Sequence, residues 1–199
     1  MPWSSKKEAP NTLRLAFGSD PLVIDPQLAE TGLAVYLAQQ LTSTLFMVDK
    51  DLKLKTRDAK SYVWENEGKK LSIELHKDLR WSDASPVNTC QYKDAILRAL
   101  DPNTPSPYAD LFYDIKGAEA FKSGKLSAKN LGILCEPSPH TLELDVLVPY
   151  SSKTLYALAF VISAPIRKEF YSSANLSDNH LVSKNGRPGI SNGSYTLQE

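Results

Sequence analysis

This sequence carries no surplus of either charge: 23 basic residues face 23 acidic ones over 199 positions. A nucleic-acid binder, or a protein held on an anionic membrane surface, needs a basic excess, so neither class is favoured. Histidine is scarce. His76, His140 and His180 have no mutual spacing suited to a metal and read as surface or strand-end residues. Cysteine is scarcer still, and Cys90 and Cys135 lie too far apart for a CxxC redox or zinc motif. The pair is either a disulfide or two free thiols, and with no histidine partner Cys90 reads as a packed thiol at a helix start. The longest apolar run, "TLYALAFVISAPI" at 154–166, is too short to span a bilayer and meets Pro165. The start, "MPWSSKKEAPNTLRLAF", lacks the apolar core of a secretory signal. The chain is therefore expected to be cytosolic, or to have an export segment that is not part of it. Internal repeats, low-complexity tracts and a nucleophile elbow are also missing; "GSD" and "GSYTL" contain serine outside any G-x-S-x-G pattern.

What is present is ordinary globular material, 42% apolar and 23% charged, long enough for one core or one domain plus a lobe. Residues 1–10 read as a flexible leader. "TLRLAF" (12–17) alternates as a strand and leads into the loop "GSDPLVIDP". Residues 31–47 place Leu33, Leu37, Leu41 and Leu45 at helical spacing. "SYVWENEGKKLSIELH" reads as a β-hairpin around Glu67–Gly68, with Gly68 free to take positive φ and Tyr62 or Trp64 directed at the helix that follows. That helix starts at an amide capping box, Asn88 with Gln91, and runs to about Leu100 with Ala95, Ile96, Ala99 and Leu100 buried. "DPNTPSPY" ends it. "GAEAFKSGK" is a short helix closed by Gly124. "TLELDVLV" (141–148) is a strand with Leu142, Leu144, Val146 and Val148 inward, a helix follows near 152–161, and "GSYTLQE" is a final strand. The fold class is α+β or α/β with mixed sheets.

Several of these pieces, in this order, resemble one family. "LHKDLRWSDASPV" followed by a helix and "DPNTPSPYA" is similar to the signature region of the extracytoplasmic oligopeptide-binding proteins of ABC importers, bacterial solute-binding protein family 5. "LRLAFGSDPLVIDP" resembles the family's first strand and Leu-Asp-Pro turn. "HTLELDVLVPY" resembles its Thr-Leu-x-Val-x-Leu strand, and "SNGSYTLQE" its Asn-Gly-Pro/Ala-Tyr return strand. The chain departs from the family at Ala84, where glycine is usual after Ser-Asp, at "NTC" (88–90), and at "LTSTLF" in place of Leu-Tyr/Phe-Glu-Gly-Leu. Alanine there implies a strained or reshaped turn. Family members are more than twice as long, so the resemblance implies an N-terminal fragment.

The resemblance implies a periplasmic-binding-protein-like lobe without its second large lobe. Residues 11–45 plus 160–199 would form the first lobe, incomplete, with 46–159 inserted as a small subdomain. It implies capture of short peptides in extended form and delivery to an ABC permease complex. The location would be periplasmic or extracytoplasmic, with the membrane met only through the permease or a lipid anchor. No cofactor, metal or nucleic acid and no catalysis are implied. The alternative is a truncated or split-gene lobe acting only as an interaction module. In the family the segment after the first strand lies along the bound peptide and bonds its backbone, which carries over to Ser19, Asp20 and Leu22. Tyr108 in "SPYA" is the other candidate contact, offering a ring and a hydroxyl, although a core or rim tyrosine fits it equally. Trp81, Ser82 and Asp83 read as an anchor and a turn and not as a site.

Overall fold

The computed structural model describes residues 12–18, 23–136, 140–171, 181 and 189–197. Helix α1 (Gly32–Leu41) starts where the Thr31 hydroxyl accepts from the Ala34 amide at 3.2 Å. It stops at Leu41, short of the expected 47, because the next three residues give their polar groups to other partners. The Thr42 hydroxyl turns back to the Ala38 carbonyl at 2.7 Å. The Ser43 backbone is held on both its groups by the Asn192 side chain, at 3.1 and 3.0 Å. The buried face is consequently Ala34, Ala38 and Leu41; Leu33 and Leu37 are half-buried, and Leu45 is buried from the extended segment beyond the helix.

Strands β1 (Phe46–Val48) and β2 (Leu54–Thr56) form a two-stranded antiparallel ribbon. The hairpin follows as expected, with β3 (Ala59–Glu65) and β4 (Lys70–Leu75) antiparallel and Glu65 opposite Lys70. Its loop runs through three consecutive positive φ values, 49° at Asn66, 55° at Glu67 and 83° at Gly68. Glycine is required at 68 on a second count, since a Cβ there would lie 2.5 Å from the Tyr150 ring. Helix α2 (Thr89–Leu100) carries the complete Asn88–Gln91 capping box, and Ala95, Ile96, Ala99 and Leu100 are buried as the spacing predicts. Its far end is closed by a residue from the next helix, α3 (Ala118–Lys122). The Lys122 ammonium donates to the carbonyls of Ala99, Asp101 and Thr104 at 3.2, 3.0 and 2.6 Å. Partial burial pulls the pKa of Lys122 down from the usual lysine value.

Strands β5 (Ile133–Glu136) and β6 (Thr141–Asp145) complete a four-stranded antiparallel sheet of order β3-β4-β6-β5, and helix α4 (Ser152–Ala157) follows. The register aligns Leu71, Leu144 and Ile133 across one row and Ile73, Leu142 and Cys135 across the next, giving the face that α2 covers. The opposite face is polar and carries ion pairs such as Lys70–Glu143 at 2.7 Å.

Five further expectations need correction. Residues 12–18 form no strand: Leu13, Leu15 and Phe17 are 55%, 46% and 43% exposed, and none of the described strands forms a ladder with them. Residues 189–197 are likewise not a strand; the amides of Gly193 and Tyr195 bond the α1 carbonyls of Leu41 and Gln40 instead. Val148 is exposed, because β6 ends at Asp145 and Tyr150 turns the chain with φ 54°. Tyr62 and Trp64 lie on the edge strand β3, and their ring contacts are with Phe46 and Tyr150 and not with a ring of α2. Cys90 is not a free thiol. It is bridged to Cys135, tying the first turn of α2 to the opposite edge strand.

Candidate functional site

The signature passage is structural, as read from its turn chemistry. Trp81 is buried and its indole N–H donates to Gln91 at 3.1 Å, so the capping glutamine also holds the anchor. Asp83 accepts from Ser85 and from Arg167, the latter at 3.0 Å, and these bonds hold its carboxyl below the usual carboxylate range. Ala84 takes φ 67°, the left-handed conformation that glycine adopts at no steric cost. Ser82 is stitched to Ser191 by two bonds, at 2.7 and 3.1 Å. The "WSD" and "SNG" motifs are thus one joint. Gly193 fits only without a side chain, since a Cβ would lie 2.5 Å from the Leu41 and Thr42 backbone.

Two buried clusters fix the elements around this joint. Asp25, in the Ile24-Asp25-Pro26 turn, is fully buried and receives both arms of Arg98 of α2, each at 2.7 Å. Arg98 also donates to Gln27 and stacks 4.1 Å over the Tyr171 ring. Asp58 is buried between Ser43 and Tyr92, accepting a hydroxyl proton on each carboxylate oxygen. Burial raises its pKa above the ordinary aspartate value, against the opposing pull of those two hydroxyls. The Tyr92 hydroxyl is pushed up by burial first and then by the Asp58 charge. Both clusters tie separate segments of the fold together.

Of the expected ligand contacts, Ser19, Asp20 and Leu22 lie outside the described residues. Tyr108 precedes the 3-10 turn Ala109–Phe112, half-buried, with its hydroxyl 3.4 Å from the Glu30 carbonyl and its ring edge-on to Phe160 at 5.2 Å. Phe160 in turn lines a groove of about 640 Å³, shared by the end of α1, the β1–β2 ribbon and α4. Gln39, Gln40 and Thr42 supply amide and hydroxyl groups on one side, Met47, Val48, Leu111 and Phe160 supply apolar surface, and Arg57 and Lys153 supply two cations. No carboxylate is among the described lining residues. Such a lining can bond a polar backbone, accept apolar side chains and attract anionic ones; it contains no nucleophile paired with a base. Among the described residues no His, Cys, Asp or Glu cluster could hold a metal. The groove was not legible in the sequence, because Arg57 and Lys153 are far apart along the chain and no local pattern joins them.

No family model matches the chain. Among curated proteins it is 30% identical over 189 residues to the periplasmic oligopeptide-binding protein OppA of Escherichia coli (strain K12), covering 92% of this chain and 32% of that protein. It is 27% identical over 150 residues to the oligopeptide-binding protein OppA of Bacillus subtilis (strain 168), covering 70% and 28%. Among solved structures, Listeria monocytogenes OppA bound to peptide superimposes with a TM-score of 0.79 over 91% of this chain and 35% of that one, at 24% identity. The chain therefore spans about a third of the length of the relatives it matches.

Proposed function

We propose that this chain, which belongs over most of its length to the oligopeptide-binding family of solute-binding proteins, forms one wall of a peptide-capture site. Captured peptides would be short, held extended, and passed to the permease of an ABC importer. The chain acts by binding and not by catalysis. One observation carries the reading. The family-like motifs "WSD" and "SNG" meet at the end of α1, next to Ser194 in the groove lining, and Tyr108 of "SPYA" adjoins the same groove through its contact with the Phe160 ring.

Within this reading Ser19, Asp20 and Leu22 supply main-chain bonds to an extended ligand in the manner of strand addition, and Tyr108 marks the rim. Residues 11–45 with 160–199 make the lobe to which 46–159 is attached as a smaller unit. The working location is outside the cytoplasm. Relatives carry the name periplasmic, and a disulfide such as Cys90–Cys135 persists in oxidising compartments.

Titration of the isotope-labelled chain with mixed tri- to pentapeptides, followed by nuclear magnetic resonance, tests the proposal. Peptides are expected to shift the signals of Tyr108, Phe160 and the groove with about millimolar affinity or tighter. Absence of any shift at about 10 mM peptide, where a millimolar site is mostly filled, would overturn the reading.

A further inference from the structure

We propose that the groove selects peptides bearing carboxylate side chains, with Arg57 and Lys153 as the recognising cations. The inference rests on the peptide-capture reading and adds which peptides are taken. The chain as a whole is electrically balanced, 23 acidic residues against 23 basic, yet among the described residues the groove lining holds two cations and no carboxylate. The imbalance is local and faces the open space.

The carboxylates near these cations are already committed. Asp58, next in sequence to Arg57, is turned inward and accepts from Ser43 and Tyr92 on its two oxygens. Asp114 accepts the Ser151 hydroxyl at 2.6 Å and stands 4.0 Å from the Lys153 ammonium, which is 44% exposed. Arg57 is exposed and is in no ion pair among the described residues. A guanidinium presenting a planar fork is suited to a two-bond grip on a carboxylate, and the lysine adds a point charge. The side-chain amides of Gln39 and Gln40 line the groove and, without a hydrogen-bond partner among the described residues, can meet a peptide main chain. Met47 and Phe160 offer apolar surface to the neighbouring side chains. An acidic peptide satisfies every part of this lining, whereas a basic one would leave both cations repelled.

The test uses three tripeptides of equal length, Glu-Ala-Glu, Gln-Ala-Gln and Lys-Ala-Lys, whose termini are identical, titrated into the labelled chain at low salt. The glutamate peptide is expected to bind about two- to tenfold more tightly than the glutamine one, as partly exposed ion pairs allow. The difference should collapse at about 0.5 M salt, where screening acts within a few ångströms. It should also vanish in the double variant Arg57→Gln/Lys153→Gln, whose fold is checked by its own spectrum; Lys153→Gln alone, expected to halve the preference roughly, serves if the double variant does not fold. Equal affinity for the glutamate and glutamine peptides at this groove overturns the selection and leaves peptide capture standing. Shifts confined to other surfaces overturn it as well. Groove signals that broaden with protein concentration and exclude all three peptides would assign the groove to a second copy of the chain. No shift with any peptide removes the peptide reading itself, and the selection with it.

Discussion

Between Phe46 and Val146 each strand of the chain has a partner, whereas in the flanking segments 12–18 and 189–197 no described residue is in a ladder. The inner region stacks Leu71, Ile73, Leu142 and Leu144 under α2, all fully buried. The flanks carry equally regular apolar patterns, "TLRLAF" and "SYTL", and leave Leu13, Leu15, Phe17 and Tyr195 between 42% and 55% exposed. Alternation is therefore a statement about which face a strand would bury and not about whether a partner exists. In the inner region the partner lies within a hairpin's reach; at the flanks it does not lie among the described residues.

The comparison breaks most visibly if the inner region is not the stable part. Trp81→Ala removes a 2%-exposed indole from the core and the bond to Gln91. It should cost about 3–5 kcal/mol in denaturant unfolding, a large share of the stability of a domain this size. A loss under about 1 kcal/mol, the scale of an ordinary surface change, would mean that the core is organised elsewhere.

Next in size is the bridge. Cys90 and Cys135 are separated by 45 positions, and closing a loop of that length in the unfolded chain is worth about 4 kcal/mol on the chain-entropy account. Replacing both cysteines by serine should therefore lower stability by about 2–4 kcal/mol. Reductant should lower the parent's melting temperature and leave the variant's unchanged. Equal melting of parent and variant under oxidising conditions would show that the two thiols are not joined.

The joint between the regions is sensed by Asp58, and here the sign is fixed by burial. Its folded-state pKa lies above the unfolded value, so the folded chain holds the proton more tightly. The stabilising contribution is present at acidic pH and is lost as pH rises from the ordinary aspartate range through the raised value. Asp58→Asn should flatten this portion of the stability–pH curve, most clearly just above pH 4, the ordinary aspartate value. A curve whose slope is unchanged by the substitution would place the titration on another group.

How far these features could be read in advance follows from the distance between partners. The hairpin loop at Glu67–Gly68, the Asn88–Gln91 box and the Ala95–Leu100 stripe involve residues a few positions apart, and local pattern found them all. The end of α1 did not follow from pattern, because Leu45 continues the helical spacing while Asn192, far along the chain, takes the Ser43 backbone away from the helix. The bridge required β5 to lie beside the start of α2, a packing fact that cysteine spacing does not encode. The groove joins Arg57 to Lys153 through tertiary structure alone. Tyr108 was singled out by its motif, whereas its edge contact with Phe160 arises from tertiary structure alone.

The smallest effect sharpens the comparison furthest. Leu15 is 46% exposed in a segment without ladder partners, so Leu15→Ser should change unfolding free energy by no more than about 0.5 kcal/mol. Had residues 12–17 been a buried strand, the same change would remove a packed leucine and leave a hydroxyl in the core, costing about 2–5 kcal/mol. Solubility should respond even though stability does not. Leu13, Leu15 and Phe17 are exposed and, with Tyr36 against Phe17, present apolar surface that favours association. Light scattering at rising concentration should show less self-association for Leu15→Ser than for the parent, with melting temperatures that coincide. A serine variant that melts well below the parent would place Leu15 inside a packed sheet and remove the distinction between the flank and the inner region.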